Sequence, residues 1–147
     1  MRRSRLSGKS LGMADRPKPQ CTVVPDSQRY STIALRSLRF DETDLTVEVQ
    51  GSGFAFARVI FRDPAGFRVL DERDLCEFWP DYSEPRGWLW EVHRGGWMDL
   101  ERQRPLFNSH EVLAPLREFF VVANKCINVF CRDRPEIVDR GADPQHA

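Results

Sequence analysis

Long apolar runs are missing from this chain of 147 residues. The longest, Phe119 to Ala123, is strand-sized, whereas a helix needs roughly 20 apolar residues to cross a bilayer. That absence argues against a membrane partner. Lysine is scarce, with three against nineteen arginines, so positive charge is carried by groups that pair carboxylates in bidentate fashion. Cys21, Cys76, Cys126 and Cys131 include no C-x-x-C pair, and no H-x-x-x-H element accompanies them. The closely spaced ligands of a zinc site are therefore lacking, and no metal or cofactor is expected. Gly51-Ser52-Gly53 lacks the lysine and hydroxyl spacing of a phosphate loop. No apolar stretch follows the basic start, so the sequence predicts a cytoplasmic protein with reduced thiols. No internal repeat is present.

Net charge is zero but unevenly spread. Residues 1–20 hold six basic side chains (Arg2, Arg3, Arg5, Lys9, Arg16, Lys18) against Asp15. From Asp41 to Glu118, sixteen acidic residues face nine basic ones, a balance of minus seven. A body of that sign repels a phosphate backbone, so no nucleic-acid partner is expected.

The length fits one domain. Prolines and absent periodicity make residues 1–29 a flexible basic segment, with a folded domain over 30–138 and a flexible tail over 139–147. Ile33 to Phe40 changes parity near Arg36-Ser37, which predicts a bulged strand. Leu45, Val47 and Val49 alternate with polar residues, the pattern of a half-exposed strand. Phe54 to Phe61 reads as a strand covered on both faces. Asp63-Pro64-Ala65-Gly66 is a turn signal. Asp71 is placed to cap a short helix whose apolar stripe is Leu75, Phe78 and Trp79, with a strand as the alternative. Ser109 is placed to cap a short turn at His110-Glu111. Phe119 to Val122 and Cys126 to Phe130 form a hairpin about Asn124-Lys125.

Gly87 to Trp97 is the densest segment, with three of the four tryptophans. As a strand it puts Trp88, Trp90 and Val92 on one face and Leu89, Glu91 and His93 on the other. Arg94-Gly95-Gly96 then reads as a hairpin turn. Together these elements predict a single α+β domain dominated by a curved antiparallel β-sheet with one or two short helices.

Among candidates for chemistry, Glu91 and His93 share a strand face, where a carboxylate can orient an imidazole for acid–base work. Cys76 lies between Asp74 and Glu77, which blunt thiolate formation. Glu91, Asp99 and Glu101 offer carboxylates for glycoside chemistry, although chance supplies such groups in so acidic a region. Recognition matches the composition better, because aromatic residues and arginine anchor interfaces. Trp79, Tyr82, Arg86, Trp88 and Trp97 are the candidate partner-binding residues, and the acids from Asp71 to Glu84 suit a basic protein partner.

Gly51-Ser52-Gly53-Phe54, Trp88 to Trp97, Leu116 to Val122 with Cys126-Ile127-Asn128-Val129, and Pro135-Glu136-Ile137 together resemble a group of small uncharacterised bacterial proteins. Some of that group are similar in size and style to immunity proteins that neutralise bacterial toxins. The resemblance spans roughly residues 40–137 and carries over no functional residues. It implies a bacterial, non-catalytic protein-recognition domain. The alternatives are a small-ligand-binding protein, a hydrolase using His93 and Glu91, or a self-associating subunit.

Overall fold

A computed structural model describes residues 17–29, 33–51, 55–82 and 86–142. The leader up to residue 16, Ser52 to Phe54, Glu84 and the last residues of the tail lie outside them. The strands are β1 (Gln20–Val23), β2 (Ile33–Phe40), β3 (Asp44–Gly51), β4 (Ala55–Arg62), β5 (Gly66–Asp71), β6 (Leu89–Arg94), β7 (Arg117–Val121), β8 (Lys125–Cys131) and β9 (Glu136–Ala142), with helices α1 (Trp97–Arg102) and α2 (Ser109–Val112). They form one α+β domain in which antiparallel strands predominate. One sheet has the order β1-β6-β7-β8-β5 and the other β2-β3-β4-β9.

The two sheets bury a common core. Leu45, Val47 and Val49 of β3 and Ala57, Val59 and Phe61 of β4 meet Leu89, Phe119, Val121, Ile127, Val129 and Cys131 of the five-stranded sheet. Each large aliphatic or aromatic side chain removed from water there contributes about 1.5–3 kcal/mol. The alternation read in β3 is present, and the bulge in β2 falls between Leu35 and Ser37. Asn124, in the β7–β8 turn, accepts the Leu35 amide of β2 at 3.0 Å and so ties one sheet to the other.

The five-stranded sheet is the middle layer. Every residue of β8 after Lys125 is buried, which is why Cys126 to Cys131 reads as a nearly unbroken apolar run. Odd-numbered positions of β7 and β8 face the other sheet. Even-numbered ones (Glu118, Phe120, Cys126, Asn128, Phe130) face a third layer, built from the segments that follow β5 and β6. Leu75 and Phe78 from the first of these segments join Trp90, Val92, Phe120, Val122 and Cys126 in a second core.

Five expectations change. Ser109 lies within α2 rather than capping it, and the cap position is Asn108, whose side chain makes no cap bond. Among the described residues, regular structure begins at Gln20 rather than Tyr30, because β1 pairs with β6. It also continues past Val138, because β9 pairs with β4 as far as Ala142. Strand β4 is fully covered only on its core face, with Arg58 and Ile60 part-exposed on the other. The Gly95-Gly96 bend leads into helix α1 instead of a second hairpin strand. There Gly95 has φ +72°, and Glu118 of β7 accepts the amides of Trp97 and Met98 at 3.0 and 2.7 Å. Those amides would have no partner within a new helix. A side chain at Gly96 would put Cβ 2.5 Å from the Glu118 carboxylate.

Candidate functional site

The third layer has two parts. The first follows β5, where the Asp71 side chain accepts the Arg73 amide and caps the single turn Glu72–Leu75 as the sequence predicts. Arg73 and Lys125 also pair with Asp71 and hold its carboxyl well below the usual carboxylate range, the Arg73 hydrogen bond first. Leu75 and Phe78 point inward, and Phe78 lies 4.6 Å from Phe120. Glu72, Asp74, Glu77 and Asp81 point out and are exposed. None of these four carboxylates forms a salt bridge among the described residues, whereas Asp71 is compensated twice. They make an acidic ridge.

The second part is α1 with the irregular chain to α2. Trp97 stacks on Phe130 of β8 at 4.0 Å and 17°, and its indole nitrogen donates to Glu101 at 3.1 Å. Beneath it Glu118, 2% exposed, also accepts from buried Asn128 at 3.1 Å, whose oxygen accepts from Arg68 at 3.1 Å. Burial pushes the Glu118 carboxyl up, outweighing the Met98, Trp97 and Asn128 donors and the field of Arg68. Arg68 lies 5.2 Å over the Trp97 ring. Trp97, Glu101, Arg104, Leu106, Phe107 and Phe130 border an open cleft of about 340 Å³. Leu106 is 88% exposed, and Leu100 and Val112 of the same segment are also exposed.

The residues proposed for recognition divide. Trp97 walls the cleft. Trp79 and Tyr82 are half-buried at the second core, where the Trp79 nitrogen donates to the Glu72 carbonyl and the Tyr82 hydroxyl donates to the Pro19 carbonyl. Arg86 is exposed and donates to the Asp81 carbonyl. Trp88 is wholly buried between the sheets, so it cannot meet a partner. It leaves the face of Trp90 because Trp88 lies in a bend just before β6 begins at Leu89, outside the strand's alternation.

Glu91 and His93 lie on one face but work apart. Both Glu91 oxygens accept from Arg117 at 2.8 Å, and His93 Nε2 pairs with the Thr22 hydroxyl at 2.8 Å. The Arg117 hydrogen bond holds the Glu91 carboxyl below its usual range, and the fields of Arg117 and His93 add to it. A carboxylate so engaged is a structural partner of arginine. Its stabilising contribution is present above the unfolded carboxylate value and is lost as pH falls through the lowered folded value. Arg117→Ala should therefore cost about 1–2 kcal/mol at neutral pH. Urea melts should show the cost shrinking in acid; a pH-independent cost would refute the pairing.

Asp99 accepts the Gly95 amide at 2.7 Å, and Glu101 is divided between Trp97 and Arg104. The carboxylates considered for glycoside chemistry are thus each committed to separate donors. Among the described residues, none of the four cysteines is joined in a disulfide. Burial pushes the Cys21 and Cys131 thiols up to about 12, and exposed Cys76 donates to the Arg73 carbonyl. Among the described residues, no three His, Cys, Asp or Glu side chains gather as a metal ion requires. Among them, too, no helix is long and apolar enough to cross a membrane.

No family model, curated protein or solved structure matches the chain. Function is therefore argued from geometry. Sequence reasoning missed Arg68, Leu106, Phe107, Glu118 and Asn128. The signal for two of them lay in the strands themselves: Glu118 precedes Phe-Phe-Val-Val, and Asn128 interrupts Cys-Ile-Asn-Val-Phe. A polar residue in a fully buried strand requires a polar partner.

Proposed function

We propose that the chain is a non-catalytic protein-recognition domain that engages a basic partner through the layer covering its five-stranded sheet. The observation that carries this is the acidic ridge. Four exposed carboxylates without salt bridges among the described residues share a layer with exposed Leu100 and Leu106 and the Trp97–Phe107–Phe130 cleft. Exposed carboxylates that meet only the through-space fields of Arg73 and Arg68 still steer a cationic partner, and apolar side chains of the same layer provide contact area once it arrives. Binding by occlusion needs no chemistry, in keeping with carboxylates already committed to arginine or amide donors. The resemblance to a group of small bacterial proteins, some of them similar in size and style to immunity proteins, is in keeping with this mode. Cysteines outside any disulfide support a cytoplasmic setting.

Affinity capture from a bacterial lysate at low and high salt tests the reading. A basic protein should be retained at low salt and shed at high salt, as screening predicts. Capture of no partner at either salt, or of only a second copy of this chain, would contradict it.

A further inference from the structure

We infer that Glu101 and Phe107 form a receptor for an arginine side chain of the partner, and that Arg104 fills this receptor in the free domain. The inference deepens the recognition reading and rests on it. Arg104 Nε donates to Glu101 Oε2 at 2.6 Å, and its guanidinium carbon lies 5.8 Å from the centre of the Phe107 ring. A carboxylate beside an aromatic face is what a planar cation requires.

The receptor is held from behind. Glu101 Oε1 accepts from the Trp97 indole at 3.1 Å, and Trp97 is stacked on Phe130. Phe107 contacts Phe130 at 6.0 Å and stacks with His110 at 5.2 Å and 20°. The occupant is held far less firmly. Arg104 follows the end of α1 at Arg102, and its side chain is 60% exposed, against 23% for Glu101. A solvated pair of this kind is weak and exchangeable. An incoming guanidinium can thus take the same two contacts while Arg104 swings into water. The exposed carboxylates of the ridge, which outnumber the arginine among them, supply the charge complementarity that favours a cationic occupant over an anionic one.

The test titrates N-acetyl-arginine amide into the full-length protein and follows the Trp97 indole N–H resonance. Arg104→Gln should bind the probe about threefold more tightly than wild type, the scale of losing one exposed intramolecular competitor. Adding Glu101→Gln or Phe107→Leu to that background should abolish the saturable shift. Equal titrations for wild type and R104Q, or an undiminished shift after either second change, would overturn the receptor. The probe is a single amino-acid amide, so that failure is distinct from failure of lysate capture, which would remove the partner reading beneath it.

Discussion

Glu118→Ala is expected to lower the free energy of unfolding by about 3–5 kcal/mol, because it strands three donors at once in a buried site. The Trp97 and Met98 amides and the Asn128 side chain all give their hydrogens to this carboxylate. An alanine there would also leave a void under α1. Urea denaturation measures the loss, and a cost under about 1 kcal/mol would mean that α1 holds its place without the anchor. The glutamine variant separates charge from shape. Burial raises the folded Glu118 carboxyl above its ordinary 4.5, so the native state binds that proton more readily than the unfolded chain does. Its contribution is complete below about pH 4.5 and declines as pH rises through the raised value. Glutamine does not titrate, so E118Q should gain on the wild type as pH rises toward neutrality. A wild type that pulls ahead instead would show that the three donors outweigh burial.

The second large effect concerns the ridge. Changing Glu72, Asp74, Glu77 and Asp81 together to lysine reverses four exposed charges. Association with the captured basic partner should slow by about 100-fold at low ionic strength. The difference should collapse in high salt, where charges separated by more than a Debye length no longer interact. Stopped-flow association at two ionic strengths measures both. Stability should change little, because these side chains lie outside both cores. An unchanged association rate would remove the ridge from the recognition mechanism.

Much of the scaffold was legible in the sequence, for reasons that particular residues make plain. Leu45, Val47 and Val49 alternate because one face of β3 meets solvent, and the parity break at Arg36 marks a real bulge. Asp71 announces its cap. The third layer was harder to foresee. Gly95-Gly96 fits a hairpin as well as a helix entry, and the choice is made by Glu118, more than twenty residues away. Trp88 and Trp90 share parity, yet the bend at Trp88, just before β6, sends one into the core between the sheets and the other beneath the outer cover. Strand β1 escaped notice because Gln20-Cys21-Thr22-Val23 is short, lies beside prolines and is fixed only by pairing with β6. The acidic composition pointed toward the ridge. The cleft did not announce itself, since it depends on which face of β8 Phe130 occupies.

Hydrogen–deuterium exchange of the domain, free and bound to its captured partner, reads the binding face directly. The account predicts new protection over residues 72–82 and 97–109, with β2, β3 and β9 unchanged. Protection confined to the solvent face of the four-stranded sheet, with the ridge and α1 exchanging as in the free protein, would contradict it.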